Sequence, residues 1–337
     1  MSLIDQIIQL KDTHSLLKHE QLVHGVIQSI DKGVLQRGDK LPSINAMVRE
    51  LGYARKTIVH AYEELKDRGL VESKKLKGYY IISDETNVTL RIALLLYAFY
   101  HFHQEFYNTF RQDLGKRFHI DVFFHHNNVD MFKTILSNIN GKYGKYVVAP
   151  IPDRSLIPIL EGIPPEKLLI VDRYLPMPKE YSYISQEFEQ NTYRRLVELS
   201  DQIGKYNKMI LFFDPSSESP REIVQAFNRF IKEFGIDGTV KKKFSPGSLV
   251  KGHLYFCASD TFLWKLLRDC HNNGLRAGRD IGVLSRDDHI VKEIVLGGIT
   301  TISTDFNCMA KMAASCIKQG APRQTILETN LIRRGSV

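Results

Sequence analysis

The chain has 337 residues, of which 43% are hydrophobic and 25% are charged, and its formal net charge is +8. At about 150 residues per domain, this length predicts two domains or three. The normal hydrophobic fraction excludes wholesale disorder, and the run of about 18 apolar residues that a membrane helix needs is absent. The first residues show no signal-peptide pattern, so we expect a cytoplasmic protein. The basic charge is compatible with a nucleic-acid partner but does not establish one.

The residues that usually carry chemistry show no metal or catalytic pattern. The 4 cysteines include no C-x-x-C pair, and we expect them to be reduced and mostly buried. The histidines near residue 100 and the His125-His126 doublet lack the usual spacing of metal ligands. No nucleophile elbow, phosphate-binding glycine loop or zinc-protease motif occurs. The sequence therefore predicts no metal, no cofactor and no enzymatic activity.

The first part of the chain reads as three helices followed by a hairpin. Apolar residues at helical spacing predict helices at 19–32, 44–51 and 54–68, and Ser43 is placed to cap the second of them. Gly52 and Gly69 are expected to end the second and third helices. Two short β-like runs at 70–73 and 79–82 enclose a lysine-rich turn. This order predicts a small α+β domain.

Beyond a short polar linker at 84–89, predicted strands alternate with amphipathic helices. The strands are 90–96, 121–124, 146–149, 168–171, 208–213, 252–258 and 280–284, and the helices are 102–117, 190–203, 221–234, 260–274 and 307–318. The alternation predicts parallel sheets, and about 250 residues is too long for one doubly wound domain. We therefore predict a first domain at 1–83 and a bilobed domain at 90–337. Lobe 1 is expected at about 90–186 and 304–322, and lobe 2 at about 187–303 and 323–337.

Short motifs follow one another in order through residues 38–81. They are Gly38-Asp39-Lys40-Leu41-Pro42-Ser43, Leu51-Gly52-Tyr53-Ala54-Arg55-Lys56-Thr57-Ile58, Ala61-Tyr62-Glu63-Glu64-Leu65, Gly69-Leu70-Val71 and Lys77-Gly78-Tyr79-Tyr80-Ile81. With these motifs the segment resembles the winged helix-turn-helix of the GntR family of bacterial transcription regulators. The resemblance implies double-stranded operator DNA as a partner and makes the helix at 54–68 the recognition helix.

The residue types in that helix agree with a DNA-binding role, because a recognition helix enters the major groove with its first turn. The predicted contacts there are Arg55, Lys56, Thr57 and His60, of which Arg55 suits a guanine edge. The other predicted contacts are Ser43, Asn45, Arg49, Lys75, Lys77 and Gly78. The GntR family usually has a basic residue shortly after Pro42-Ser43, and this chain has Ile44-Asn45 there instead. Asn45 and Arg49 are the nearest substitutes for that basic residue.

The charge of this segment bears on how it would meet DNA. Residues 37–78 carry ten Lys/Arg and six Asp/Glu, a local net charge of +4, and a homodimer on a palindromic operator would double it. A winged helix used only for protein contacts is the alternative.

Further motifs mark the second part of the chain. They are Leu169-Ile170-Val171-Asp172-Arg173, Phe256-Cys257-Ala258-Ser259-Asp260, Gly274-Leu275-Arg276-Ala277-Gly278-Arg279-Asp280-Ile281-Gly282-Val283, Asp287-Asp288 and Thr300-Thr301-Ile302-Ser303-Thr304-Asp305-Phe306. This part resembles the effector domain of the LacI/GalR regulators, which is similar to periplasmic sugar-binding proteins. A GntR-type reader joined to such a sensor resembles the arabinose-repressor type of regulator. The resemblance implies a winged helix-turn-helix domain followed by a bilobed α/β periplasmic-binding-protein-like domain with two doubly wound parallel sheets.

The ligand candidates are polar or aromatic residues near predicted strand ends, because parallel sheets bind ligands beyond the carboxyl ends of their strands. The resemblance makes Asp260 the leading acceptor for sugar hydroxyls. The other candidates are Tyr97, Phe99, His101, His103, Asp153, Gln186, Arg221, Asp287, Asp288, Thr304 and Asp305. Arg221 either reaches the ligand or is a charge at a helix start, and Asp287-Asp288 are either ligands or loop caps. Asp172 is expected to support a crossover loop.

These observations predict a transcription repressor whose affinity for its operator is controlled by a small sugar, a monosaccharide, in the interlobe cleft. Two alternatives remain at this point. One is an enzyme that processes a sugar or sugar phosphate and carries a DNA-binding arm. The other is a regulator that senses a nucleobase or no small ligand. The sequence leaves open which sugar is bound and whether it induces or co-represses.

Overall fold

The computed structural model describes residues 2–10, 16–86, 88, 90–217, 219–320 and 322–337. The predicted linker at 84–89 includes Asn87 and Thr89, which lie outside the described residues, as do residues 1 and 11–15 of the predicted first domain. No helix within the described part of the chain is long and apolar enough to cross a membrane.

The first domain contains a helical core and a β-hairpin. Its elements are α1 (Leu3–Gln9), α2 (Lys18–Asp31), α3 (Ile44–Leu51), α4 (Arg55–Asp67), β1 (Val71–Lys74) and β2 (Gly78–Ile81). β1 and β2 pair antiparallel. The predicted cap is present, since the Ser43 hydroxyl accepts a hydrogen bond from the backbone N–H of Ala46 at 3.1 Å. Gly52 ends α3 in the left-handed conformation, at φ +71°, which a glycine adopts without steric cost.

The helices of this domain share one apolar core. Val26 of α2, Met47 of α3 and Tyr62 of α4 are buried together. α1, which the sequence patterns did not identify as an element, packs on α2 at Gly25. A Cβ at Gly25 would lie 2.3 Å from Cγ1 of Ile7, so only glycine allows this approach.

The first lobe of the second domain is a six-stranded sheet covered by helices on both faces. Its strands are β3 (Leu90–Leu96), β4 (Phe118–Phe124), β5 (Lys145–Val148), β6 (Leu168–Arg173), β7 (Ser182–Gln186) and β13 (Gln324–Leu327), in the order β13-β7-β6-β5-β3-β4 and all parallel. Its helices are α5 (His101–Leu114), α6 (Val129–Ile139), α7 (Ile157–Glu161) and α13 (Phe306–Gln319). α5 and α13 cover one face, and α6 and α7 cover the other.

The second lobe repeats this plan with one difference. Its strands are β8 (Lys208–Phe212), β9 (Gly238–Lys241), β10 (His253–Cys257), β11 (Gly282–Arg286), β12 (Thr300–Thr304) and β14 (Thr329–Ile332), in the order β14-β12-β11-β10-β8-β9. Its helices are α8 (Glu189–Glu198), α9 (Ser200–Ile203), α10 (Glu222–Glu233), α11 (Asp260–Asn272) and α12 (Ile290–Ile294). β14 is antiparallel to β12, whereas the other pairs are parallel. The predicted fold class is therefore confirmed, with one antiparallel edge strand added.

The sheets correct the predicted boundary between the lobes near the end of the chain. The prediction assigned 323–337 to lobe 2, but β13 pairs with β7 in the first sheet, so the last crossing follows Leu327. β13 is a short edge strand with alternating exposed and half-buried positions, and such a segment gives little hydrophobic signal. The earlier crossings follow Gln186 at the end of β7 and Thr304 at the end of β12.

Candidate functional site

The first candidate site is the exposed surface of α4. Arg55, Lys56 and His60 are exposed and Thr57 is half-buried in the first two turns of the helix. Ile58, Ala61, Tyr62 and Leu65 face the core instead. Because the two sets alternate at helical spacing, α4 presents a basic, polar face to solvent while its other face holds the domain together.

Asn45 and Arg55 form a pair across the helix-turn-helix. Nη1 of Arg55 donates to Oδ1 of Asn45 at 2.5 Å, and both side chains are exposed. Arg49 is also exposed, and its Nε lies 3.4 Å from Oε1 of Glu50. The Ser43 hydroxyl is already engaged, because it caps α3. The structure thus brings Asn45 and Arg55 together and gives Ser43 a structural contact.

The hairpin supplies a second basic surface. Lys75 and Lys77 are exposed, and Gly78 adopts φ +103°, which favours glycine at this point of the turn. Lys74 is held more closely, since its Nζ lies 3.0 Å from a carboxylate oxygen of Glu72 and 4.7 Å from the ring centroid of Tyr80. The β1–β2 hairpin, which is the wing of this domain, therefore holds Lys74 in place and leaves Lys75 and Lys77 exposed to solvent.

The second candidate site is a cavity of about 210 Å³ between the lobes. The residues that line it come from loops at the carboxyl ends of strands and from the helix starts that follow them. They are Tyr100, His101, Phe102, Asp172, Arg173, Gln186, Phe188, Ser219, Pro220, Ile223, Ala258, Ser259, Asp260, Thr261, Arg286, Asp287, Asp288, His289 and Phe306. This is the position that parallel sheets give to a ligand.

A buried polar chain joins the two lobes beneath this cavity. The side-chain N–H of Gln186 donates to Oδ1 of Asp172 at 2.5 Å, and the hydroxyl of Thr304 donates to Oε1 of Gln186 at 2.5 Å. Nε2 of His103 lies 3.6 Å from Oδ2 of Asp172. Burial alone would raise the pKa of Asp172, but the neighbouring His103 and Arg173 lower it, so its carboxylate is charged. Asp172 thus offers a charged acceptor at the first-lobe wall.

Two arginines contact one aromatic ring at the cavity. The guanidinium carbons of Arg173 and Arg286 lie 5.7 and 5.6 Å from the ring centroid of Phe188. Arg286 is only 3% exposed, and its nearest carboxylate oxygen, on Asp287, is 3.8 Å away. That distance is too long for a hydrogen bond. One N–H, on Nη1, donates to the Thr192 hydroxyl at 3.5 Å, and the remaining N–H groups of the guanidinium keep donor capacity for a ligand.

The acidic residues of the second lobe differ in their surroundings. Oδ1 of Asp260 lies 2.6 Å from Nζ of Lys292, and Asp288 forms a two-pronged pair with Arg334 at 2.6 and 2.8 Å. Burial raises the pKa of Asp287, and the charges of Arg286 and Lys292 offset this only in part. Each of the four lining aspartates has a basic neighbour: Arg173 for Asp172, Lys292 for Asp260, Arg286 for Asp287 and Arg334 for Asp288.

The structure brings some of the predicted ligand residues together at this cavity. Those that line it are His101, Gln186, Asp260, Asp287 and Asp288. Thr304 and His103 contact lining residues without lining the cavity themselves: Thr304 contacts Gln186, and His103 contacts Asp172. His101 and His289 contact each other across the cleft, with ring centroids 3.8 Å apart.

Other predicted ligand residues lie outside this cavity. Tyr97 is buried and donates to the carbonyl oxygen of Pro150 at 2.7 Å, and Phe99 is 72% exposed on the surface. The carboxylates of Asp153 and Asp305 accept from the backbone of Ser155 and Cys308, which caps the turns that follow them. Arg221 lines an adjoining cavity of about 480 Å³, which shares Arg173, Gln186 and Phe188 with the first.

Sequence reasoning missed several lining residues, above all Arg173, Phe188, Arg286 and His289. Arg173 and Arg286 each end a buried strand. Arg173 follows Asp172, and Arg286 precedes Asp287. A basic residue at the carboxyl end of a predicted parallel strand was the available signal. Within the described residues, no group of three or more potential metal ligands is present.

Comparison with known proteins agrees with both parts of this description. The model of the gntR family of bacterial regulatory proteins matches residues 18–81, and that of the periplasmic binding protein-like domain matches residues 205–337. The Bacillus subtilis HTH-type transcriptional repressor YtrA is 31% identical over 83 residues, which cover 25% of this chain and 63% of that protein. The matches span between 14% and 66% of the length of the curated relatives.

Solved structures resemble the second domain. A LacI family transcriptional regulator from Lactobacillus casei with bound glucose matches with a TM-score of 0.61 at 15% identity, over 73% of this chain and 99% of that one. A dimeric lac repressor with a C-terminal deletion matches with a TM-score of 0.62 at 18% identity, over 73% of this chain and 98% of that one. The chain therefore carries a GntR-type helix-turn-helix domain, followed by a periplasmic-binding-protein-like domain with the fold of LacI-type regulators.

Proposed function

We propose that this chain is a DNA-binding transcription regulator, a repressor, whose operator affinity is controlled by a small sugar bound between the lobes. One observation carries the proposal: a basic, solvent-facing recognition helix and a polar cleft with paired charges occur in the same chain. A regulator that reads chromosomal DNA acts in the cytoplasm, and the proposed role requires no enzymatic step and no cofactor.

The proposed DNA contacts are made by α4 and the wing. Arg55, oriented by Asn45, reads a base edge, and Lys56, Thr57 and His60 meet neighbouring bases or phosphates. Lys75 and Lys77 approach the backbone from the wing, where the small Gly78 allows close contact. Arg49 supplies a further phosphate contact. A homodimer places two such domains on two half-sites of a palindrome.

The proposed ligand is a neutral monosaccharide. Asp172, Asp260 and Asp287 provide acceptors for hydroxyl groups, and Arg286 and Gln186 provide donors. Phe102, Phe188 and Phe306 provide apolar surface for the face of a sugar ring. Because each lining aspartate already has a basic neighbour, a charged ligand would bring a charge for which the site holds no unpaired counterpart. Neutral polyols are therefore favoured over sugar acids, sugar phosphates and amino sugars.

In the proposed mechanism the sugar shifts an equilibrium between open and closed lobes. Residues from both lobes line the cavity, so the closed form makes more contacts with the sugar and is favoured by it. Closure moves the lobes of the two protomers relative to each other and changes the spacing of the winged domains. A coupling of about 1–3 kcal/mol changes operator affinity by about 5–150-fold.

Thermal unfolding with a ligand panel tests the sensor part of the proposal. The panel is glucose, galactose, arabinose and fucose, with gluconate, glucose 6-phosphate, glucosamine and adenine as contrasts. A specific ligand at about 100 times its Kd adds about 2.7 kcal/mol to the stability of the folded chain. A rise in midpoint with a neutral sugar alone is expected. Stabilisation only by adenine, or consumption of a sugar during the assay, would contradict the proposal.

Operator binding tests the regulatory part. Duplexes that the protein selects from a random pool are used in gel-shift titrations with and without the best sugar of the panel. We expect the sugar to weaken binding by at least about fivefold. A sugar that binds tightly but leaves operator affinity unchanged would refute the coupling between the two sites.

A further inference from the structure

Lys292 is a charged side chain that lies entirely inside the second lobe. Its side chain is 0% exposed, and it comes from the short helix α12, immediately after the loop that lines the cleft. Its Nζ lies 2.6 Å from Oδ1 of Asp260. It donates as well to the Ser285 hydroxyl at 3.2 Å and to the carbonyl oxygens of Arg286 at 2.7 Å and Asp287 at 2.5 Å. A buried ammonium is tolerated only with such partners.

Most of these acceptors belong to the wall of the cleft. Asp260, Arg286 and Asp287 all line the cavity, and the side chain of Asp260 is 48% exposed to solvent. Asp287 has a backbone φ of +53°, a left-handed conformation that glycine, asparagine and aspartate adopt more readily than other residues. The ammonium thus links Asp260, at the start of α11, to the Arg286–Asp287 turn, which it contacts through two carbonyl groups.

We propose that Lys292 is a positioning residue of the ligand cleft. Its ammonium orients the Asp260 carboxylate and the Arg286–Asp287 turn so that both groups meet the ligand. With Oδ1 of Asp260 held by Lys292, the other oxygen of that carboxylate is the one presented to a sugar hydroxyl. The inference rests on the proposed function, because the cleft has to bind a ligand for the positioning to matter.

The test uses the full chain and two single variants. Lys292→Met removes the charge at similar side-chain length. The control is Asp269→Asn, which alters a buried carboxylate on α11 that does not line the cavity. The Asp269 carboxylate accepts a hydrogen bond from the backbone N–H of Gly247 at 2.9 Å. The double variant Lys292→Met/Asp260→Asn removes both members of the ion pair, which avoids an unpaired carboxylate if the single variant does not fold.

The first measurement is hydrogen exchange at the turn, which needs no ligand. The backbone N–H of Asp287 donates to the carbonyl oxygen of Ile302 at 3.0 Å, and that of Asp288 donates to the Ser303 hydroxyl at 2.8 Å. We expect exchange at these amides to rise by about tenfold in Lys292→Met and in the double variant, but not in Asp269→Asn. Unchanged exchange in the Lys292 variants would overturn the proposal.

The second measurement is the affinity for the sugar of the panel that stabilises the native chain most. We expect it to fall by at least about tenfold in Lys292→Met and to stay within twofold in Asp269→Asn. Faster exchange without a loss of affinity would show a purely structural lysine and would also overturn the proposal. If the native chain binds no member of the panel, the proposed function fails, and the exchange data still decide whether Lys292 holds the turn.

Discussion

Gly144 belongs to the first lobe and packs against Asp67 of the winged domain. Gly144→Ala therefore perturbs the contact between these two domains. Gly144 is buried, and a Cβ at this position would lie 2.4 Å from Cδ1 of Leu90, 2.9 Å from the carbonyl oxygen of Asp67 and 3.0 Å from the Cβ of Asp67. Asp67 ends the recognition helix α4, and its Oδ1 accepts from Nζ of Lys167 of the first lobe at 2.6 Å. The substitution therefore pushes directly on the last turn of that helix.

The expected effect follows from these distances. Relieving these contacts requires Cδ1 of Leu90 to move away and Asp67 to shift by about 0.5 Å, and overpacking of this kind costs about 1–3 kcal/mol. The same shift weakens the Asp67–Lys167 ion pair, which is partly buried, by about 1 kcal/mol. The contact should lose at least about 2 kcal/mol, which corresponds to at least a roughly 30-fold change in its opening equilibrium.

Hydrogen exchange at the end of α4 measures this opening. The backbone N–H groups of Arg68 and Gly69 donate to the carbonyl oxygens of Glu64 and Lys66 at 3.0 and 2.8 Å, and we expect their exchange to rise by at least roughly 30-fold. Gly204→Ala is the matched control, because its Cβ would lie 3.3 Å from the Ser200 carbonyl oxygen and 3.9 Å from that of Asp201, and its φ of −62° suits alanine. A folded Gly144→Ala protein with native exchange at these amides would refute the reasoning.

Further substitutions test the two candidate sites and the pH response. Arg55→Ala should weaken specific operator binding by about 5–150-fold and leave the sugar-induced midpoint shift unchanged, and equal affinity in gel shifts would contradict the assigned base contact. Asp260→Ala should keep operator binding but abolish release by the sugar, and normal release would mean that the cleft is misplaced. Lys75→Ala should lower the slope of log affinity against log salt by about 1, equally for specific and random duplexes. Burial would raise the pKa of Asp288, but hydrogen bonds from Arg334 and Thr301 lower that pKa overall. The Asp288–Arg334 ion pair therefore stabilises the fold above about pH 4, and this stabilisation is lost as the pH falls through the lowered pKa. Arg334→Met should therefore cost about 3 kcal/mol at pH 7 and clearly less at pH 3 in urea unfolding, and a cost independent of pH would contradict this assignment.

The winged domain was predictable because its signals are local. The boundaries of α3 agree with the prediction, and those of α2 and α4 differ from it by one residue at each end. Ser43, Gly52 and Gly69 act within a few residues of themselves, through a cap or a positive φ, so no distant part of the chain was needed to recognise them.

The cleft was only partly predictable, because it is assembled from both lobes. Asp260 and Asp287 could be proposed because an acidic residue after a buried strand is visible in the sequence. The short strands β7, β9, β13 and β14 gave weaker patterns, and β13 was assigned to the wrong lobe, because its pairing with β7 joins segments more than 130 residues apart.

By itself the sequence determined the helix-turn-helix, the alternation of strands and helices, and the acidic residues at strand ends, since each depends on neighbours along the chain. Only the tertiary structure decided which of those residues share a cavity. It buries Lys292, which a sequence pattern would place in solvent, because Asp260 and the carbonyl groups of Arg286 and Asp287 surround its ammonium. It also buries Arg286 beside Phe188 at the wall of the cleft. The physical reason is that desolvation and charge pairing depend on distances in space, which sequence separation does not specify.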